Sequence, residues 1–399
     1  MALFTDTFDD VNGVARFVRS VAGVAARTPG AELHIVTCGE PACDPPAAAH
    51  VHRLPARLAV PLPGYRDLTL RWPDARAGER LLDALGPDAV HVSTPGPAGL
   101  LGRRLALRRG LPLLGTHHTD FPAYAERLLG SRALARVSAL ALRRFYRPFD
   151  AVFARSHASA AGTRALLGPR ARVEIIPPGI NVARFAAAKG ADRLAVWAAH
   201  PGVRPAAVKA LYVGRVSVEK GLPDLVRLWP AVSRAAASHG LDVQLVIVGD
   251  GPYRATMERA LPPPLAAYLG FRPADELPRL YAGADLFVFP STTDTLGQAV
   301  MEAQACGLPA LVTDRGGPAE TVADGETGFV LPPLDQPGAA DRWIDAVLRL
   351  ARDPALRERL GRAAGERLAP RTIERSFERF RALHAELVAA RAKTKPARG

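Results

Sequence analysis

Cysteine is scarce: 3 residues in 399, at Cys38, Cys43 and Cys306. The number is odd and none has C-x-x-C or metal-ligand spacing, which argues against a disulfide framework and a zinc site. A Cys38–Cys43 contact stays open, with buried or bystander thiols the favoured reading. No apolar run reaches eighteen residues, so no transmembrane helix is expected. No charged, apolar, small-residue leader opens the chain, and a reduced cytoplasmic protein is the expectation. No D-x-D triplet occurs. The turn Gly249-Asp250-Gly251-Pro252 lacks the third glycine of a dinucleotide fingerprint, so hydride chemistry is not supported. The 35 glycines and 36 prolines are spread out and form no low-complexity block, and Val60 to Asp67 reads as a proline-rich loop.

The chain is long enough for two ordinary domains, and 48% hydrophobic residues can fill two cores. Short apolar strands alternate with helical patterns throughout, the signature of an α/β protein. The net charge of +13 is uneven, because residues 101–200 hold 17 basic and 5 acidic side chains. Such a field favours an anionic partner: a membrane surface, a nucleic acid or a polyanion. Arginine far outnumbers lysine, which general codon bias also explains, but bias does not explain concentration in one segment. The segment Ser131 to Phe145 reads as a basic amphipathic helix, with Arg132, Arg136, Arg143 and Arg144 set against Leu134, Val137, Leu140 and Leu142. It fits an anionic bilayer, but a surface helix docked on a sheet is the slightly favoured reading. Nucleic-acid binding has charge in its favour but no motif.

The stretch from Ala284 to Pro309 organises the rest. Leu286 to Phe289 reads as a buried parallel strand, Pro290 ends it, and Ser291 to Gly297 is a hydroxyl-rich loop carrying Asp294. A helix follows from Gln298 to Cys306 and carries Glu302. Open α/β sheets bind ligands at the carboxyl ends of their strands, and a helix N-terminus there suits a phosphate. Taken alone, Asp294 reads as a cap or loop residue and Glu302 as a surface helix charge.

This wording resembles retaining glycosyltransferases of family four, which have the GT-B fold. Their donor site is closed by two glutamates with seven residues between. Asp294 stands here in place of the first, and Glu302 is the second. Three further motifs of the second half fall in family order: Gly214-Arg215 to Lys220-Gly221, Gly249 to Pro252, and Leu269 to Arg272 followed by Leu277, Tyr281 and Ala284-Asp285. In the first half, Asp6 to Gly13 resembles the family's opening glycine loop, with one glycine of the usual pair. His117-His118-Thr119-Asp120-Phe121 resembles its Tyr-His-Thr-Asp-Phe segment, and Pro177 to Asn181 its domain-closing turn.

The resemblance implies two Rossmann-like domains with parallel sheets facing across a cleft, and transfer of a mannose- or glucose-type sugar with retained configuration. Arg215 and Lys220 are expected to hold the donor diphosphate, with the helix N-terminus at Gly297. Asp294 is expected on the sugar hydroxyls, Glu302 on the ribose and Arg272 near the base. Leu296, Gln298 and Gly214 are further donor-side residues. His118, Asp294, Arg215 and Lys220 are the expected catalytic residues; His118 and the Gly13 loop face the acceptor side, with Gly13 also bordering the donor phosphate. Two adjacent histidines also suggest a metal, but no third ligand is evident. The donor is a GDP or UDP sugar, the route is metal-independent with no cofactor, and the acceptor is an alcohol. A glycerolipid or inositol lipid on the inner membrane face is favoured, with a soluble acceptor, an epimerase and an inactive basic scaffold as alternatives. The expected boundaries are 1–181, a linker over 182–205, a second domain over 206–370, a helix crossing back over 371–392, and a disordered tail over 393–399.

Overall fold

The alternation of strands and helices is realised in a computed structural model describing residues 1–10, 12–39, 50–62, 65–119, 121–122 and 130–394. Cys43, Asp120 and residues 395–399 lie outside the described residues. The chain divides into two units. The first takes Met1 to Pro122, Arg132 to Gly179 and the segment from Ile373. Its elements in chain order are β1 (Ala2–Phe4), α1 (Gly13–Ala25), β2 (His34–Cys38), β3 (Val51–Leu54), β4 (Ala56–Leu62), β5 (Tyr65–Pro73), α2 (Ala75–Leu85), β6 (Val90–Val92), α3 (Pro97–Arg109), β7 (Leu113–Thr116), α4 (Arg132–Tyr146), β8 (Ala151–Ala154), α5 (His157–Leu167) and β9 (Val173–Ile175). Among the described residues, seven of these strands form one sheet in the order β3-β2-β1-β6-β7-β8-β9, every pair parallel. Its central strands are buried along their length, as a sheet covered on both faces requires.

The second unit runs from Ile180 to Thr372. It contains α6 (Val182–Ala186), α7 (Arg193–Ala198), β10 (Val208–Val213), α8 (Leu222–Ala237), β11 (Val243–Val248), α9 (Arg254–Ala260), β12 (Ala266–Gly270), α10 (Leu277–Gly283), β13 (Leu286–Phe289), α11 (Gln298–Ala305), β14 (Ala310–Thr313), β15 (Gly328–Leu331), α12 (Ala339–Arg352) and α13 (Pro354–Leu368). Its parallel sheet has the order β12-β11-β10-β13-β14-β15. The last helix, α14 (Ile373–Thr394), belongs to the first unit. Its Phe377, Phe380, Leu383 and Leu387 share a core with Phe17, Val18 and Val21 of α1 and with Leu3, Leu114 and Phe153 of the sheet.

Local chemistry fixes the helix ends that matter for function. Asn12 caps α1 by accepting from the Ala15 N–H at 2.8 Å. The N-cap of α3 is Gly96, which has no side chain to offer. Asp6, at the end of β1, substitutes: its carboxylate accepts from the Ala98 N–H at 2.7 Å and the Thr94 hydroxyl at 2.6 Å. Burial raises the Asp6 pKa, and these donors oppose the rise.

A buried histidine pair ties α14 to the sheet. His384 Nδ1 lies 2.7 Å from the Phe380 carbonyl, which only accepts, so this nitrogen carries the proton. A neutral His384 then accepts at Nε2 from His91 Nδ1, 3.0 Å away. His91 Nε2 accepts in turn from the Thr116 hydroxyl at 2.9 Å. Each donor has one acceptor, provided both rings stay neutral.

Three sequence expectations need correction. Val60 to Asp67 was expected as a proline-rich loop, but β4 and β5 pair as an antiparallel hairpin, with Leu58 opposite Trp72 and Val60 opposite Leu70. Pro61 disguises it, and a two-stranded sheet tolerates proline where no partner needs the N–H. The expected linker over 182–205 contains α6 and α7, whose Phe185 and Trp197 enter the second core. The Trp197 indole donates to the Gly283 carbonyl at 2.6 Å, and burying such a ring is worth on the order of 3 kcal/mol. Lys393 and Thr394, expected in a disordered tail, belong to α14, which runs to Thr394.

Candidate active site

Strand order locates the ligand-binding ends of both sheets. In the second unit β11 and β12 lie on one side of β10 while β13 lies on the other, so the connections diverge there. Ligands bind outside the carboxyl ends of strands at such a switch point. The loop after β10 carries Gly214, Arg215 and Lys220, and the loop after β13 carries Asp294 to Gly297. In the first unit the switch point falls between β1 and β6.

In the second unit Lys220 Nζ donates to Asp294 Oδ1 at 2.7 Å. The side chains are only 16% and 20% exposed, so solvent screens the pair less than a surface ion pair. Asp294 was expected to contact sugar hydroxyls and Lys220 the diphosphate, and the structure brings the two together. Asp294 Oδ2 and the neighbouring Thr292 hydroxyl are buried and have no hydrogen-bond partner among the described residues. Buried polar atoms are seldom left so, and these two can take up the groups of a polar ligand.

Close backbone contacts hold the pair in place. Gly221 has φ 73°, and a Cβ there would come within 2.5 Å of the Pro290 carbonyl oxygen. This seats the Lys220 turn on the end of β13. The Thr293 hydroxyl adds a bond to the Glu219 carbonyl at 3.0 Å. Gly297, the N-cap of α11, has φ 74°, and a Cβ there would lie 2.7 Å from Pro318 Cγ. Gly317 N–H donates to the Asp294 carbonyl at 2.8 Å. The α11 N-cap therefore uses no side chain, and Asp294 is kept for Lys220 rather than spent on capping.

Glu302 is 1% exposed, which overturns its reading as a surface charge. The Tyr281 hydroxyl donates to Oε2 at 3.1 Å and Gln298 Nε2 to Oε1 at 3.3 Å. Gln298, expected on the donor, thus braces Glu302, while Leu296 packs against the second core. Tyr281 was missed as a site residue, although it stands in the motif that ends at Asp285. Arg215 is half-buried, and its carbonyl accepts from the Tyr212 hydroxyl at 2.8 Å. Gly214 packs against Gly249 so closely that a Cβ on Gly249 would lie 1.9 Å from the Gly214 oxygen. Arg272 pairs loosely with Glu276 at 3.7 Å, and its buried Nε has no partner among the described residues.

His118 and Gly13 lie in the first unit. The adjacent histidines after β7 diverge, as successive side chains of extended backbone do. His117 is buried and bonds Thr163 Oγ1 through Nδ1 at 2.9 Å. Half-buried His118 bonds Ser93 Oγ through Nε2 at 3.1 Å. Reading the pair as joint metal ligands requires both rings on one side. Burial first, then the Arg155 guanidinium and the His117 ring, hold His118 well below its ordinary pKa, so it is neutral at pH 7. Gly13 opens α1, and a Cβ there would meet nothing within 4 Å. Arg155 and Phe17 stand beside His118 and were not singled out from the sequence.

Comparison with known proteins agrees with this geometry. Residues 11–184 match the family described as Glycosyltransferase Family 4, and residues 199–367 match Glycosyl transferases group 1. The chain is 33% identical over 338 residues to a GDP-mannose-dependent alpha-mannosyltransferase of Mycobacterium tuberculosis, covering 83% of each chain. It is 31% identical to a GDP-mannose-dependent alpha-(1-6)-phosphatidylinositol monomannoside mannosyltransferase of Mycolicibacterium smegmatis, covering 73% of this chain and 76% of that one. The fold is similar to that of a sucrose-phosphate synthase from Thermosynechococcus elongatus, with TM-score 0.77 and 22% identity over 98% of this chain and 99% of that one. Two family matches running nearly end to end, and a relative one-third identical across most of both chains, place the protein in glycosyltransferase family 4: it is a GT-B glycosyltransferase that works with a nucleotide-sugar donor.

Proposed function

We propose that the protein is a retaining mannosyltransferase that takes mannose from GDP-mannose to a hydroxyl of a membrane lipid. The observation that carries the donor half is the Lys220–Asp294 pair at the switch point, with buried Glu302 on the helix that follows the Asp294 loop. Both relatives named above are GDP-mannose-dependent. In this reading the donor exchanges the partners of the pair. Lys220 turns to the diphosphate with Arg215, and Asp294 accepts from sugar hydroxyls. The bond from C1 to the diphosphate oxygen breaks, and the acceptor oxygen bonds C1 on the same face. The departing phosphate oxygen takes the acceptor's proton, so no carboxylate nucleophile is needed. Charge growing on that phosphate is met by two cations and the α11 N-terminus, without a metal ion. His118, neutral at pH 7, serves the acceptor side as a hydrogen-bonding group.

The donor assignment is checked by heat denaturation in buffer containing EDTA. A ligand that binds only the folded state raises the melting temperature. GDP is expected to raise it more than UDP or ADP, and Glu302→Ala to weaken GDP binding about 10- to 100-fold, because it removes a charge-assisted contact. Equal shifts with all three nucleotides count against the guanine assignment, and no shift with any of them removes the donor reading.

The lipid half rests on α4. Its Leu142, Phe145 and Tyr146 are buried in the first unit, while Leu134, Val137 and Leu140 are 43%, 63% and 68% exposed on successive turns. Arg136 and Arg144 are exposed on the same helix. Apolar side chains flanked by arginine suit the interface of an anionic bilayer, where each cation contributes about 1 kcal/mol. Cosedimentation with phosphatidylglycerol vesicles at low salt is expected, with little on phosphatidylcholine. Val137→Glu combined with Leu140→Glu is expected to reduce it at least about tenfold. Equal partitioning of wild type and variant overturns the membrane reading and favours a soluble acceptor.

A further inference from the structure

Among the described residues of the first unit, Arg155 is a buried cation with no acid beside it. Arg155 follows β8 and is 3% exposed. Its Cζ lies 3.7 Å from the centroid of the Phe17 ring of α1, so the ring covers one face of the guanidinium. Among the described residues its buried Nη1 has no hydrogen-bond partner and no carboxylate pairs with it. Burial lowers its pKa to about 9, which leaves it protonated at pH 7. An isolated buried cation is costly, and such charges are ordinarily paired.

The surroundings narrow what fits. His118 stands against the same Phe17 ring, centroids 5.6 Å apart, and the nearby Arg155 helps to keep it neutral. Ser93, bonded to His118, is a hydroxyl. None of these neighbours supplies negative charge. Strands β6, β7 and β8 lie side by side in the parallel sheet, so Ser93, His118 and Arg155 all follow carboxyl ends, where such sheets bind ligands. With one face stacked on Phe17, the guanidinium keeps its in-plane N–H groups for hydrogen bonds. That fork matches two oxygens of a phosphoryl group.

We propose that Arg155 binds an anionic phosphoryl group of the acceptor, a phosphate monoester or diester near the hydroxyl that receives the sugar. The proposal rests on the reading that the first unit carries the acceptor. It gives the basic surplus of residues 101–200 a role as an attracting field for an anionic acceptor.

The test uses the full chain saturated with GDP, so that the second unit's phosphate site is filled. Binding of sn-glycerol 3-phosphate is compared with glycerol by calorimetry. Phosphatidylinositol is compared with diacylglycerol, each in phosphatidylcholine vesicles. Wild type is expected to bind the phosphorylated member of at least one pair tenfold or more tightly, and the pair that discriminates tells a soluble from a lipid source. Arg155→Met is expected to abolish the preference and Arg155→Lys to keep part of it, with the GDP-induced rise in melting temperature unchanged. The Met variant is also expected to melt at the same or a higher temperature, because it removes an unpaired buried charge. A purely structural arginine predicts a fall. Absence of discrimination in wild type, or its survival in Arg155→Met, overturns the proposal. Loss of the GDP effect in Arg155→Met also overturns it, by assigning Arg155 to the donor. No GDP effect in wild type is the separate failure of the donor reading.

Discussion

Lys220→Ala is expected to lower kcat/KM for sugar transfer by about 10²- to 10³-fold, the usual cost of deleting one preorganised charge stabiliser. Two losses combine. The departing diphosphate gains charge as the bond to C1 breaks, and a cation placed in advance stabilises that state more than the ground state. In addition, Asp294 loses its partner at 2.7 Å while 20% exposed, and a half-buried carboxylate without a counter-charge is poorly set for the sugar. The second loss is separable. In an Asp294→Ala background the further effect of Lys220→Ala should be smaller than in wild type, because residues in contact do not act additively. Steady-state kinetics on the four proteins measure the coupling. Additive effects sink the exchange of partners, and less than about threefold loss in Lys220→Ala removes Lys220 from the diphosphate site.

Acidification should loosen the first unit well before carboxylates titrate. Burial holds His384 at about 4, opposed by its bond to the Phe380 carbonyl and assisted by the Met1 ammonium. Burial also holds His91 well below 6.5, helped by His384 and His118. Both folded pKa values lie below the unfolded one, so the neutral rings contribute their full stability above about pH 6.5. That contribution is lost as pH falls toward the folded values. For His384 alone the loss reaches about 3 kcal/mol near pH 4, since one pH unit is worth 1.36 kcal/mol. A protonated His384 can no longer accept from His91 Nδ1, so the link between α14 and β6 breaks where the charge appears. Urea midpoints measured from pH 7 to 4 should fall for wild type and fall less for His384→Phe. Parallel slopes place the acid sensitivity elsewhere. His118, also kept neutral by burial, adds to the same trend.

Much of the second unit was legible because its signals are local. Leu286 to Phe289 is a continuous apolar run between an acid and a proline, and β13 occupies those residues. Gly297 and Gly307 bracket α11, and Ala339 to Arg352 shows an unbroken helical period that becomes α12. Loops that approach one another closely need glycine, so the Gly214, Gly249 and Gly221 turns carry their geometry in residue type alone. The hairpin β4–β5 was not legible, because Pro61 looks like a loop residue, and only its pairing with Thr69 shows that it stands in a strand. Neither was the fate of residues 182–205. An alanine-rich stretch reads as linker, and only the burial of Phe185 and Trp197 makes it part of a core.

The sequence by itself determined the fold class, the family, and the residue types at the donor loops. These depend on periodicity and short motifs, which act within a few residues. The tertiary structure decided which charges are partnered. It set Lys220 against Asp294 across 74 positions and His91 against His384 across 293. It withdrew Glu302 from the surface, and it singled out Arg155 among many arginines by burying it on Phe17 without an acid. Burial and long-range pairing set the energy of a charge, and neither is a property of a residue's neighbours in the chain.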